Sequence, residues 1–365
     1  MKLIAPVKLL ATKEQKIVLK STIEKVNLAC NAISETASQS TVYRKYDLHK
    51  LCYYGIKKEF SLTAQIVVRC IGKVADSYKK NKTTQHSFQK HGSITYDKRI
   101  LTWKDGVVSI WTTEGRMKIP FVCGERQKKM LLHRKGECDL SFVDGEFYIG
   151  ATCDIAEPDP IVVKSYLGVD LGIKNIAVDS DGNRYEGGHL SGLRNRHTKI
   201  RARLQSKGTK AAKRLLVKRK RKEMRMAKHV NHCISKKLVL LAKDTFRGIA
   251  LENLGGIRQR ITVRRSQRRQ HHSWSFYDLQ QKIVYKAAMV GIPVVFVDPR
   301  NTSRTCQRCG HCEKGNRKDQ ATFKCLSCGF FADADDNAAT NICGRALVNV
   351  PDFAAPMGLV KSPLL

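Results

Sequence analysis

Tyr166-Leu167-Gly168-Val169-Asp170-Leu171-Gly172 places one acid inside apolar, extended sequence, and a second apolar run, Ile173-Lys174-Asn175-Ile176-Ala177-Val178, follows at once. Two adjacent β segments with an acid in the first set its carboxylate at the centre of a sheet, whereas an acid on a surface turn would be commonplace. The arrangement repeats at Gly248-Ile249-Ala250-Leu251-Glu252, where an apolar run again ends on an acid. Glu252 has a bland alternative as a strand-end carboxylate capping the Asn253-Leu254-Gly255-Gly256 turn. A third acid, Asp335, opens Asp335-Asp336-Asn337-Ala338-Ala339. There a helix start is expected, and Asp333, Asp335 or Asp336 would each serve as a cap. Taken together the three acids say more. Like charges held close in an apolar setting need a cation. All-oxygen ligands suit Mg²⁺ or Mn²⁺. Two such ions about 4 Å apart would activate a water and stabilise a leaving oxygen.

The charge of the chain narrows the substrate. Its 365 residues carry 67 Lys+Arg against 32 Asp+Glu, a formal net charge of +35, which implies a polyanionic partner. A membrane surface is the rival, yet no uninterrupted apolar stretch approaches about 20 residues. The opening Met1-Lys2-Leu3-Ile4-Ala5-Pro6-Val7-Lys8 is too short in its apolar run and too rich in lysine for a secretory signal. The expected location is therefore inside the cell, where cysteines are kept reduced. Of the 13 cysteines, most are scattered and read as small buried apolar residues.

The chain changes character along its length. Residues 12 to 90 read as helical, with apolar residues such as Ile23, Val26, Ala29 and Ile33 recurring at spacings of three to four. Residues 92 to 164 break into short alternating runs separated by Asp105-Gly106, Glu114-Gly115 and Asp144-Gly145, which are hairpin signals. An antiparallel barrel or meander is expected, with the first residues adding a strand and the helical block inserted into it. Pro158 and Pro160 mark a boundary. Residues 194 to 228 then hold 16 Lys/Arg and one acid, Glu223, as a long helix or helix pair. Such a density repels itself unless a polyanion neutralises it. Phosphate contacts are expected from Arg201, Arg203, Lys213, Arg214, Lys218, Arg219 and Arg221, and from Arg258, Arg264 and Arg265 in a second basic segment. An amphipathic helix over about 276 to 289 and a strand at Val294-Val295-Phe296-Val297 complete the pattern.

Cys306-x2-Cys309 and Cys325-x2-Cys328, 15 residues apart, have the spacing of two knuckles around one tetrahedral Zn²⁺. Gly310 and Gly329 each follow the second cysteine, where a turn lets amides point at thiolates. Cys312 and His311 are left as spare neighbours. Four cysteines make a closed structural site without the open position that zinc catalysis needs.

The order Asp170, Glu252, cysteine cluster, Asp335 resembles the split RuvC domain, an RNase H-like fold, of the TnpB (OrfB) family of transposon-encoded RNA-guided DNA endonucleases, relatives of type V CRISPR effectors. The resemblance rests on Gly168-Val169-Asp170-Leu171-Gly172, Asn231-His232-x2-Ser235-Lys236-Lys237, Asp298-Pro299-Arg300-Asn301-Thr302-Ser303-Arg304-Thr305-Cys306 and Ala334-Asp335-Asp336-Asn337-Ala338-Ala339-Thr340-Asn341-Ile342. It is good over roughly residues 165 to 345; the amino-terminal half is similar in architecture only. It implies an α/β multidomain fold: a β-barrel wedge (1–11 and 92–164), a helical recognition insertion (12–91), and a RuvC-like nuclease domain (165–304) with an inserted zinc ribbon (305–331). A RuvC-like carboxy-terminal helix and tail (332–365) would follow. It also implies catalysis by Asp170, Glu252 and Asp335 with Mg²⁺, zinc on Cys306, Cys309, Cys325 and Cys328, and Arg304 close to the acids. Asp335 is preferred to Asp333 because it matches the family's Asp-x-Asn-Ala-Ala. The implied partners are a guide RNA from the chain's own locus and double-stranded DNA bearing a short adjacent motif, sequence being read by base pairing. An RNA-guided repressor that does not cut, a miniature type V CRISPR effector and a strand-joining transposase remain alternatives.

Overall fold

A computed structural model describes the chain except for residues 173–174, 187, 220–221, 255–275, 320 and 350–365. It divides into two compact units, Met1–Ala156 and Glu157–Leu365.

In the first unit, β1 (Lys2–Leu9) buries alternate residues and pairs antiparallel with β7 (Glu146–Asp154) from Lys2↔Asp154 to Lys8↔Tyr148. Between β1 and the next strand come α1 (Lys13–Ser40), α2 (Lys45–Glu59) and α3 (Ala64–Lys80). Thr12 and Gln15 start α1 with a reciprocal capping box. The helical stretch ends at Lys80 rather than near residue 90. The chain returns along α1 instead, with Asn31 and Asn27 donating side-chain hydrogen bonds to the carbonyls of Phe88 and Gly92. The remaining strands are β2 (Ile94–Tyr96), β3 (Leu101–Lys104), β4 (Val107–Thr112), β5 (Gly115–Val122) and β6 (Arg134–Val143). They form one antiparallel seven-stranded sheet in the order β2-β6-β7-β1-β5-β4-β3. The sheet is nearly a barrel: its edge strands β2 and β3 are consecutive in the chain, and no ladder between them closes it. Both Asp-Gly turns have two positive φ angles, 44° and 77° at Asp105-Gly106 and 52° and 86° at Asp144-Gly145. That is the conformation tight hairpins require. A short helix, α4 (Glu125–Leu131), buries no residue, so no apolar stripe announces it in the sequence.

The second unit is built on β8 (Tyr166–Asp170), β9 (Asn175–Asp179), β10 (Arg184–Glu186), β11 (Gly248–Glu252) and β12 (Val294–Val297). Their order is β10-β9-β8-β11-β12. The β10-β9-β8 side is antiparallel, while β8, β11 and β12 are parallel. The basic stretch forms α5 (Gly188–Lys207), α6 (Lys210–Arg219) and α7 (Lys222–Asp244). Gly208, at φ 62°, breaks the first helix from the second, so of the two expectations, one long helix or a helix pair, the stretch follows the divided one. Then come α8 (Phe276–Ala288), a hairpin of β13 (Thr322–Lys324) and β14 (Phe331–Asp333), and α9 (Ala334–Asn349).

Strand periodicity sorts the two faces of this sheet. Leu167 and Val169 of β8 and Ile249 and Leu251 of β11 pack in one core with Leu238 of α7 and Leu279 and Ile283 of α8. Their neighbours Tyr166 and Ala250 pack on the other face with Ile342 and Ala346 of α9. Since alternate residues of a strand share a face, Asp170 and Glu252 belong to the α9 face.

Candidate metal and nucleic-acid site

β8 and β11 run parallel in the register Gly248↔Tyr166 to Leu251↔Val169. The next position on each strand is Asp170 and Glu252, so the two acids leave neighbouring strands at the same edge and on the same face. Small residues on that face let α9 come close. A Cβ at Gly168 would stand 2.1 Å from the carbonyl oxygen of Ala339 and 2.6 Å from the amide nitrogen of Cys343, contacts that only glycine avoids. The Cys343 thiol also donates to the carbonyl of Tyr166 at 3.0 Å. This close packing brings the first turn of α9, with Asp335, to the two strand ends.

The electrostatics record that convergence. Burial, then the charges of Glu252 and Asp335, push the Asp170 carboxyl up to about 8. Arg317 and the Leu171 amide pull the other way. Burial raises Glu252 as well, opposed first by the hydroxyl of Thr302, which donates to Glu252 Oε1. Asp335 Oδ2 accepts from Asn175 Nδ2 at 3.0 Å, and Oδ1 lies 3.9 Å from the Arg317 guanidinium. The three carboxylates do not gather within 4.8 Å of one another; among the described residues only the cysteine cluster is that tight. The arrangement is a group of three half-buried acids with a net demand for positive charge.

Asp333 has a different task. Its Oδ1 accepts from the Asp335 amide at 2.9 Å, capping α9, and Arg184 of β10 bridges Asp333 and Asp336. The cations that act on the acids are Arg317, from the loop between the cysteine pairs, and, at Glu252, also Arg345 of α9. Sequence reading passes over Arg317, Thr302 and Asn175; the last two stand inside quoted motifs but carry no local pattern that marks them.

The four cysteine sulfurs lie within 4.8 Å of one another, with Cys306–Cys328 at 3.7 Å and Cys309–Cys325 at 3.6 Å. A tetrahedron with metal–sulfur bonds of about 2.3 Å has edges of about 3.8 Å, so the donor set fits zinc. The Cys328 amide points at Cys325 Sγ (3.4 Å) and holds that thiol below its ordinary range. Gly310 and Gly329 adopt φ of 75° and 70°. Cys312 stands outside the set, bridging Thr305 through the backbone.

The cluster is tied to the acids by α9. Buried Asn337 accepts from the Gln307 amide and donates to the carbonyl of Thr305; Asn341 donates to the carbonyls of Thr302 and Thr305. The Asp-Asp-Asn-Ala-Ala-Thr-Asn run is thus intelligible residue by residue: an acid for the group of three, small residues against β8, and two amides for the base of the cluster. Asn231 and Ser235 of α7 likewise serve packing, since Asn231 donates to Asp278 and Lys286 donates to Ser235 Oγ.

Of the basic residues, Arg201, Arg203, Lys213, Arg214 and Lys218 are exposed on α5 and α6. Arg219 is half-buried, with its guanidinium 3.3 Å from His197 Nδ1. Arg221, Arg258, Arg264 and Arg265 lie outside the described residues. No described helix is long and apolar enough to cross a membrane.

Residues 276–342 match the family described as Cas12f1-like, TNB domain. Over 126 residues, 34% of this chain and 28% of the relative, the chain is 44% identical to the CRISPR-associated endodeoxyribonuclease Cas12f1 of Sulfoacidibacillus thermotolerans. It is 29% identical over 268 residues to a TnpB-like protein of Methanocaldococcus jannaschii, covering 67% of this chain and 92% of that one. A cryo-EM structure of a Cas12f1-sgRNA-target DNA complex shares the fold, with a TM-score of 0.63 at 16% identity, over 91% of this chain and 83% of that chain. The chain spans between 15% and 37% of the length of these Cas12f relatives that it matches in sequence. It is a relative of the TnpB-like and Cas12f proteins.

Proposed function

We propose that this relative of the TnpB-like and Cas12f proteins is a transposon-encoded, RNA-guided DNA endonuclease. One observation carries the reading: Asp170 and Glu252 end parallel strands in register, and Asp335 meets them from α9, so that the charges of the other two help raise Asp170. Excess negative charge on three half-buried acids, in a chain of net charge +35, suits a divalent cation working on a phosphodiester. Asp170, Glu252 and Asp335 would hold Mg²⁺ or Mn²⁺. Bound there, the ions supply the charge that activates water and stabilises the leaving 3′ oxygen. Asn175 and Thr302 would orient two of the acids, and the Arg317 guanidinium would offset charge on the attacked phosphate.

In this reading the five-stranded sheet with α9 is a RuvC-like, RNase H-like domain spanning residues 165–304 and 332–365. The cysteine hairpin at 305–331 is its zinc ribbon, closed and structural. Residues 1–11 and 92–164 are a wedge carrying the helical recognition insertion 12–91. The exposed cations of α5 and α6 would track phosphates of guide RNA or DNA, as would Arg221, Arg258, Arg264 and Arg265. The partners would be a guide RNA from the chain's own locus and duplex DNA with a short adjacent motif. The site of action would be the nucleoid of a bacterial or archaeal cytoplasm.

The test is co-expression with the flanking locus RNA, followed by Mg²⁺-dependent cleavage of a plasmid carrying the guide match beside randomised sequence. Wild type should cut, and Asp170→Ala, Glu252→Ala and Asp335→Ala should bind without cutting. Binding without cutting by wild type would sink the nuclease reading.

A further inference from the structure

Among the described residues, Glu252 and Asp335 have something in common that Asp170 lacks. Each gives one carboxylate oxygen to an uncharged donor from a distant part of the chain: Thr302 Oγ1 to Glu252 Oε1, and Asn175 Nδ2 to Asp335 Oδ2. Both donors are themselves held. Thr302 is 3% exposed, and its carbonyl accepts from Asn341 of α9. Its hydroxyl has the carbonyl of Pro299 as a second acceptor, but the single proton favours the charged one. Asn175 opens β9, whose ladder with β10 continues through Tyr185↔Ala177. A neutral donor fixes a carboxylate without cancelling its charge, which a lysine or arginine would do. Asp335 Oδ1 faces the Arg317 guanidinium only at 3.9 Å, beyond hydrogen-bond distance.

We infer that Thr302 and Asn175 are positioning residues that present Glu252 and Asp335 to a divalent cation through one fixed oxygen each. The inference rests on the reading of the three acids as a metal site. Outer groups that orient ligands are typically worth about 10- to 100-fold in metal affinity. A purely structural role would lower stability and leave metal binding untouched.

The experiment titrates the full-length, zinc-loaded chain with Mn²⁺ alone and reads free Mn²⁺ by electron paramagnetic resonance. Thr302→Val keeps the shape and removes the hydroxyl, Thr302→Ser keeps the hydroxyl, and Asn175→Ala removes the amide. Thr302→Val and Asn175→Ala should each weaken Mn²⁺ binding about tenfold. Thr302→Ser should bind as wild type, and zinc content and Tm should hold in all three. Wild-type Mn²⁺ affinity in Thr302→Val or Asn175→Ala, or failure of Thr302→Ser to restore it, overturns the inference. Asp170→Ala is the separate control: if it binds Mn²⁺ as wild type does, the metal-site reading itself falls.

Discussion

Asp170 carries a cost that only a cation removes. In the unfolded chain its carboxyl titrates near 3.8, and in the folded chain it is pushed up to about 8, first by burial and then by Glu252 and Asp335. A raised acid favours the folded state less as it ionises. The penalty is absent below the unfolded value, grows as pH rises between the two and is complete above the folded one. In magnesium-free buffer Asp170→Asn should therefore leave Tm nearly unchanged at pH 4 and raise it increasingly toward pH 9. Added Mg²⁺ should reverse the ranking, because a ligand stabilises the state that binds it. Differential scanning fluorimetry across pH reads both; a gain of equal size at every pH would remove the electrostatic account. Asp170 and Glu252 could be read from the sequence because an acid in an apolar strand contradicts its surroundings. Thr302 and Asn175 act 50 and 160 residues from their partners, a relation that local pattern does not encode.

At the scale of elements, the contact of α9 with β8 sets the site. Gly168→Ala would put a methyl 2.1 Å from the carbonyl of Ala339, against backbone that cannot rotate away. Overpacking of this kind costs about 1–3 kcal/mol. It would also move Asp335 from the strand ends, so chemical denaturation should show the loss together with weakened Mn²⁺ binding. Normal stability would mean that α9 tolerates the displacement. The same scale shows what sequence pattern conveys. Strands β8, β11 and β12, the Asp-Gly hairpins and the amphipathic α8 were legible because each has a period or a turn residue that local physics demands. Helix α4 was not, since it buries nothing. The division of the basic stretch was legible only as one of two readings, a long helix or a helix pair, because a run of Lys and Arg has helix propensity throughout and a single glycine, Gly208, marks the break. A carboxylate order along the chain suggested that Asp170, Glu252 and Asp335 meet; only the parallel register and the close approach at Gly168 explain how.

Two long-range couplings belong to the whole second unit. The cysteine cluster shares its base with the acids through Asn337, Asn341 and Thr302, and β14 leads directly into α9. Cys325→Ser should lose zinc and, with all three acids intact, also weaken Mn²⁺ binding, because the loop that holds Thr302 is no longer braced. Zinc loss by elemental analysis with unchanged Mn²⁺ affinity would show the cluster to be independent. The other coupling is charge. With a formal net charge of +35 the chain repels itself, an anionic partner would relieve that repulsion, and among the described residues α5 and α6 expose Arg201, Arg203, Lys213, Arg214 and Lys218 to meet one. Each phosphate neutralised on duplex DNA adds about 0.9 to the steepness with which log K falls against log salt. Replacing Lys213, Arg214 and Lys218 together by Gln should thus flatten that slope by nearly 3, with little change in Tm since all three side chains are exposed. Fluorescence anisotropy of a labelled duplex between about 50 and 200 mM salt measures it, a range over which six to ten phosphate contacts would change affinity by about 10³–10⁵. An unaltered slope would take α6 out of the nucleic-acid surface and leave its charge to the segments on either side.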